Sequence, residues 1–320
     1  MTEPDSLVRR EPLSADQARA VLDLADAAKA ADGVAPLSEH GILRLRSGAV
    51  TDGGDGRDLL AVTADGTIAG YAYLDPPEDG SGAEDGISGE LAVHPKHRRA
   101  GHGTALVSAL PSAALDLSGG TPPAGGIRLW AHGDRPAAAA LAAVTGYTRD
   151  RELLQMLLPV SAARLPEPTV PEGVTLRTFV PGKDEDAWLA VNQRAFARHP
   201  EQGSWTRADL ELREAEPWFD PAGFFLAERD GELVGFHWTK VHTAGGSAGG
   251  PIGEVYVVGV DPQGQGGGLG KALTVAGLAY LKASGLDEVM LYVDGDNAPA
   301  VRLYTGLGFT RWHVDVMYRR

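Results

Sequence analysis

The sequence predicts an α/β fold with a mixed sheet, built twice in tandem, and three observations carry that expectation. Strand-like stretches rich in β-branched and aromatic residues alternate with stretches of helical apolar spacing along the 320 residues. The order strand, glycine loop, helix occurs twice, around Gly101 and around Gly268. Between them, Pro159 to Pro171 carries four prolines in thirteen residues, the composition of a linker. The expected division is 1–158, a linker at 159–171, and 172–320.

In the first half, Ser14 is placed to cap a helix running to Ala31, with Val21, Leu22, Leu24, Ala25 and Ala28 on its apolar face. Leu37 to Arg46 continues irregularly. Leu59 to Thr63 and Thr67 to Leu74 form a hairpin across Ala64-Asp65-Gly66. Pro76 to Gly86, acidic and glycine-rich, is a loop. Ile87 to Val93 is a strand stopped by His94-Pro95, and Lys96 to Gly103 is a glycine-containing turn. Thr104 to Leu117 is a helix that Pro111 should kink. A strand at Ile127 to Ala131, a helix from Pro136 to Thr145, the stop Gly146-Tyr147 and a strand at Leu153 to Leu158 complete the half.

The second half repeats this order. Strand Val174 to Phe179 and helix Asp184 to Phe196 lead through the polar loop His199 to Gly203 to a helix at Arg207 to Ala215. Phe224 to Arg229 and Glu232 to Val241 pair across Asp230-Gly231, and Gly245 to Gly250 is a loop. Strand Glu254 to Val260, helix Lys271 to Lys282, strand Glu288 to Val293, helix Pro299 to Leu307 and strand Trp312 to Tyr318 follow. Gly268 lies 167 residues after Gly101 and Gly308 lies 162 after Gly146, so one loop-length change reconciles the copies.

Composition excludes several classes. A net charge of −14 gives no general nucleic-acid footprint. With no cysteine, disulfide and thiolate chemistry are absent, and none of the nine histidines has an HExxH-like spacing, so no metal is expected. The charged N-terminal stretch lacks an apolar signal core and no apolar run reaches membrane length; a soluble, cytoplasmic chain without membrane partners follows. The duplication could replace the dimer of single-domain proteins, so a monomer is expected.

The glycine loops carry the chemistry. Glycines bring bare N–H groups close to a phosphate, and a helix N-terminus adds its dipole. Gln265-Gly266-Gly267-Gly268-Leu269-Gly270 fits the pattern Gln/Arg-x-x-Gly-x-Gly/Ala, as does Arg98-Arg99-Ala100-Gly101-His102-Gly103. At these residues the chain resembles the GCN5-related N-acetyltransferases, twice over. Asn297-Ala298-Pro299-Ala300-Val301-Arg302-Leu303-Tyr304, followed by Gly308-Phe309, is similar to a further segment of that family.

The resemblance implies acetyl-CoA as co-substrate. Its pyrophosphate would lie on Arg98, Arg99, Ala100, Gly101, His102 and Gly103, or on Gln265, Gly266, Gly267, Gly268, Leu269, Gly270 and Lys271. Its pantetheine arm would pair with Leu91, Ala92 and Val93, or with Val258, Gly259 and Val260, and Asn297, Ala300, Val301 and Arg302 would add to the second site. Tyr304 would return a proton to the leaving thiolate, since a phenol titrates near 10 and a thiol near 8.5.

Glu254 is the candidate base. It opens the strand that should border acetyl-CoA, on the alternating face of Tyr256, Val258 and Val260, and a carboxylate can take the proton an ammonium must lose before it attacks a thioester. A backbone N–H near Val258 to Val260 would stabilise the oxyanion. In the first half Glu254 corresponds to Ile87, Asn297 to Arg135 and Tyr304 to Ala142, while Glu90 points to the other face; that half keeps a loop without acid or base.

One intact copy behind one eroded copy resembles the tandem members of the family that acetylate a cysteinyl amine carried on an aminosugar. Glu39, Glu201, Lys240, Glu254 and Tyr292 would then meet that small molecule's ammonium, carbonyl and hydroxyl groups. An aminoglycoside or a protein N-terminus as acceptor, or acetyl-CoA binding without turnover, stays open.

Overall fold

A computed structural model describes residues 7–10, 12–46, 57–75, 86–197, 200–264 and 266–320. Of the loop expected at Pro76 to Gly86, all but Gly86 lies outside the described residues. The chain divides into two compact units, Met1–Leu153 with His313–Arg320, and Leu154–Trp312.

In unit 1, Ser14 and Gln17 close a capping box at the start of α1 (Ala15–Asp32): Ser14 Oγ accepts from Gln17 N at 3.2 Å, and Gln17 Oε1 accepts from Ser14 N at 2.7 Å. Gly33 ends the helix in the left-handed conformation. The stretch expected to be irregular is instead α2 (Glu39–Arg46), which buries Leu43 and Leu45. The sheet follows the order β1 (Leu7–Arg10), β2 (Asp58–Val62), β3 (Ile68–Asp75), β4 (Ile87–Val93), β5 (Ile127–Ala131) and then the end of β12 (Thr310–Arg319). Short, charged β1 carries no apolar alternation and is not legible as a strand in the sequence; it sits at an edge, where charge discourages stray pairing.

Helices cover both faces. Leu59, Ala61, Ala72 and Leu74 pack with Leu106, Val107 and Leu110 of α3 (His102–Leu117), while Leu60, Tyr71 and Tyr73 pack with Val21 and Leu24 of α1. The two alternating sets leave β2 buried throughout, as a strand covered on both sides must be. Helix α3 runs through Pro111 without interruption. α4 (Pro136–Val144) follows β5 as expected, and β6 (Thr148–Leu158) starts five residues before the expected strand.

The compact units depart from the repeat boundaries. The repeat gives 1–158 to one copy and the C-terminal strand to the other, yet Val316 to Arg319 pair antiparallel with Arg128 to Ala131 of β5. Ile127 and Arg320 exchange both backbone hydrogen bonds at 3.0 Å. Val316 and Tyr318 then join the α3-side core, so the last eight residues belong to unit 1.

In unit 2 the order is β6, β11 (Val289–Asp294), β10 (Ile252–Val260), β9 (Glu232–His242), β8 (Phe224–Arg229) and β7 (Val174–Thr178), with only the last residues of β6 belonging here. α8 (Leu269–Ala283) covers one face through Leu273, Leu278 and Leu281. α5 (Glu185–Ala195) and α7 (Arg207–Glu214) cover the other through Trp188 and Leu210, against Phe224, Phe236 and Trp238. The polar stretch expected as a loop forms the four-residue helix α6 (Pro200–Gly203), and α9 (Ala298–Gly306) follows β11. The proline-rich segment is no free tether: Val160 is fully buried with Met156 and Leu158, and Lys282 Nζ donates to the Ala163 carbonyl at 2.7 Å.

Candidate active site

β10 and β11 run parallel but pair only over Gly253–Val255 and Val289–Leu291. Beyond Val255 the two strands diverge, so the β11-facing edge from Tyr256 to Val260 has no ladder partner among the described residues. On its other edge β10 pairs with β9 through a register shift between Val255 and Val257, where Tyr256 is the extra residue of a bulge. The bulge breaks the alternation expected for the strand. Glu254 and Tyr256 share the α5 side with Val257, whereas Val258 and Val260 pack toward α8 with Leu278 and Leu273. Gly259 faces α5, where a Cβ would come within 2.6 Å of the Phe236 ring.

The glycine loop follows. Gly266, Gly267 and Gly268 take φ of +105°, +61° and +82°, and Gly268 caps α8 with no side chain on its first N–H groups. These donors point out of the helix end, where an anion is favoured. Leu269 is a core residue, so only its backbone serves the loop, and Lys271 is exposed beside it. Gln265 lies outside the described residues.

Glu254 is 6% exposed and stands directly opposite Lys240 on β9. His242, two residues further along β9, brings Nε2 within 2.6 Å of Glu254 Oε2. The sequence did not single out His242, although its even spacing from Lys240 puts it on the same face. Lys240 is buried with Nζ 4.3 Å from the ring centre of Trp218 and 4.9 Å from that of Tyr256. Arg213 of α7 closes the same wall: its guanidinium lies 3.9 Å from the centre of the Trp205 ring, and Nε donates to Tyr256 Oη at 2.9 Å. Tyr292, two positions beyond Met290, which faces Glu254 across the ladder, is 41% exposed on this side. The sheet thus gathers Glu254, Lys240 and Tyr292 on one face. The side chain of Glu201, in α6, is outside the described residues, and Glu39 begins α2 of unit 1.

Tyr304 approaches from the α8 side, packed with Val255, Val293 and Phe309. Burial pushes its hydroxyl up to about 12, which keeps it a proton donor at neutral pH. Asn297 is occupied as the N-cap of α9, accepting from Ala300 N at 3.2 Å. Ala300 and Val301 pack on the Tyr304 cluster, and Arg302 is exposed.

Unit 1 repeats the frame with different side chains on it. β4 and β5 pair over Ile87–Glu90 and Ile127–Trp130, so Leu91, Ala92 and Val93 again leave the ladder. Gly101 caps α3 at φ +89°, and His102 is buried in its first turn with its pKa lowered by burial and by His97. Arg99 is exposed at φ +66°, with Ala100 and Gly103 completing the turn. Arg98 makes a two-pronged contact with Asp32 at 2.8 and 2.7 Å and donates to the Val93 carbonyl, so its fork is already engaged.

The pairing of β4 with β3 is continuous from Ser88 to Val93, with no bulge. The face matching the Glu254 wall is filled by the unit's own groups, and Glu90 lies on it rather than on the opposite face as expected. Because the bulge at Tyr256 adds one residue to β10, Ser88 and not Ile87 holds the place of Glu254, and Ile87 packs in the α3-side core. Glu90 accepts from Tyr73 Oη and from Ser38, and pairs with His132 at 3.0 Å; His132 pairs with Asp315 at 3.0 Å. Arg44, Asp58 and Tyr71 close a second buried network beside it.

The comparisons with known proteins agree with this geometry. Residues 188–309 match the Acetyltransferase (GNAT) family, and residues 55–147 an Acetyltransferase (GNAT) domain. The mycothiol acetyltransferase of Thermomonospora curvata is 58% identical, covering 98% of this chain and 97% of its own. That of Thermobispora bispora is 60% identical, with coverages of 94% and 95%. The crystal structure of a GCN5-related N-acetyltransferase from Sphaerobacter thermophilus superposes with a TM-score of 0.68 at 29% identity, covering 100% of this chain and 96% of that one. A tandem GNAT protein from the clavulanic acid pathway has the same fold, with a TM-score of 0.69 at 20% identity and 98% coverage of both chains.

Proposed function

Because the chain belongs to the GNAT acetyltransferase family, we propose that unit 2 acetylates the cysteinyl amine of a cysteinyl-glucosaminyl-inositol, giving mycothiol and CoA. The observation that carries the assignment of roles is the buried carboxylate of Glu254, set on the floor of the face where β10 leaves β11.

Acetyl-CoA fits that frame. Its pantetheine amides find backbone groups along the open edge from Tyr256 to Val260, and its pyrophosphate finds the N–H groups of Gly266 to Gly268 and the start of α8. Acetyl-CoA supplies the activated acyl group; the chain does the rest. Glu254 removes a proton from the substrate ammonium, the nitrogen attacks the thioester carbonyl, and an N–H following the bulge donates to the developing oxyanion. The C–S bond breaks as Tyr304 gives its proton to the thiolate, and the second proton that the nitrogen loses on becoming an amide restores the phenol. Lys240, held against Trp218 and Tyr256, meets a carbonyl or hydroxyl of the acceptor, and Tyr292 a sugar hydroxyl.

Unit 1 on this reading binds acetyl-CoA without turning it over. Ser88, opposite Arg128 as Glu254 is opposite Met290, and Ala142 stand where a base and an acid are needed, and the Glu90 network occupies the acceptor face. A CoA-release assay with the cysteinyl pseudodisaccharide beside aminoglycosides and peptides tests the assignment. The pseudodisaccharide should have the highest kcat/KM, and preference for another amine overturns it.

A further inference from the structure

Glu254 is almost wholly buried, and an acceptor bound over it would close it off further. A base in that position must dispose of each proton it takes before the next turnover. Lys240 faces it across the ladder, but an ammonium has no lone pair with which to take a proton. His242 has one. Its Nε2 lies 2.6 Å from Glu254 Oε2, and its side chain, at the end of β9, is 28% exposed while that of Glu254 is 7% exposed. The pair therefore joins a buried oxygen to a group that reaches water.

We propose that His242 is the positioning partner of Glu254 and its proton outlet, an inference that rests on the acetyl-transfer reading of this site. The protonated carboxyl passes its proton to Nε2, the imidazolium releases one to water, and the neutral ring resets its tautomer by exchange with solvent. Only N–H and O–H bonds are made or broken. The ammonium's proton ends in water, and Glu254 returns to carboxylate. Among the described residues, the titratable and charged groups on the face of the pair include Lys240 on β9, Tyr256 on β10 with Arg213 of α7 bonded to it, and Tyr292 on β11. An ammonium and a guanidinium only donate, whereas an imidazole nitrogen offers a lone pair and the ring's other nitrogen an N–H, so His242 is the group of this set built to take a proton on one side and release one on the other.

The test uses the full chain, with CoA release from the cysteinyl pseudodisaccharide followed between about pH 6 and 9. His242→Ala should lower kcat about 10–100-fold with KM for acetyl-CoA unchanged, and added imidazole should restore kcat in a saturable way. His242→Gln keeps an amide that can orient the carboxylate but cannot titrate; it should lose kcat and the pH-dependence while retaining KM for the acceptor. Glu254→Gln should not respond to imidazole. An unaltered rate and pH profile in His242→Gln overturns the outlet, whatever His242→Ala does to folding. If the unmodified chain releases no CoA with this acceptor, the functional reading falls and this inference with it.

Discussion

At the scale of single residues, the roles differ in what each side chain loses when altered. Glu254→Gln keeps size and much of the hydrogen bonding to His242 but cannot accept a proton, so kcat should fall about 10²–10⁴-fold while acetyl-CoA affinity, measured by titration calorimetry, stays the same. Tyr304→Phe should lower kcat without raising KM for acetyl-CoA; with the hydroxyl pushed up to about 12, the unmodified enzyme should show no loss of this donor at any pH below about 10. Both residues could be proposed from the sequence because a carboxylate before a glycine loop is a local pattern and the segment from Asn297 to Tyr304 resembles one of the family's. His242 could not, since its partner becomes visible only when β9 and β10 are set in register. Gly277 is another position where only the fold speaks: a Cβ there would overlap the imidazole of fully buried His237, which bonds the Leu273 carbonyl at 2.8 Å. Gly277→Ala gains about 1 kcal/mol of helix propensity but forces overpacking of about 1–3 kcal/mol. Urea melts should therefore show a net destabilisation.

Among elements, the bulge and the C-terminal strand matter most, and neither can be read from the chain. A bulge is one extra residue in a run that still alternates acceptably, so the sequence pattern makes β10 regular and puts Val258 and Val260 on the face of Glu254, which is the wrong one. β12 reads as the closing strand of its own half because both copies end in a similar strand; its pairing with β5 is a tertiary fact. Its anchor is electrostatic as well as apolar. Burial opposes charge on His132, but hydrogen bonds to Asp315 and Glu90 outweigh it and push its pKa up to about 10. A folded pKa raised above the unfolded value near 6.5 adds stability that is complete below about pH 6.5 and is lost as pH rises through about 10. His237 has the opposite sign: burial pushes it down to about 4, so unit 2 should lose stability as pH falls from about 6.5 toward 4. Thermal melts across this range should show an alkaline limb that Asp315→Asn flattens, with a stability loss of about 1–3 kcal/mol at neutral pH as His132 loses a charged hydrogen-bond partner while keeping Glu90.

For the whole molecule, the duplication was legible because the glycine loops, hairpins and Gly-Phe or Gly-Tyr stops recur at nearly constant offset, and each copy repeats one mixed sheet between helices. What the repeat hid is divergence in the faces rather than the frames. Both units splay a pair of parallel strands beside a helix N-terminus; unit 2 lines the adjoining face with Glu254, Lys240 and an aromatic wall, and unit 1 fills it with Glu90, Tyr73, His132 and Arg44. On the proposed reading, a frame without an open acceptor face binds a nucleotide thioester and stops there. Calorimetry should accordingly find about two acetyl-CoA sites per chain in both the unmodified protein and Glu254→Gln. Gly101→Trp places an indole at a backbone position of φ +89° in the first loop, where an L side chain is strained and the pyrophosphate approach is blocked. It should reduce the stoichiometry to about one and leave kcat for the cysteinyl amine within about twofold. Loss of turnover in Gly101→Trp with unit 2 still binding acetyl-CoA would mean that the first site contributes to the reaction, and the division of labour drawn from the two faces would have to be abandoned.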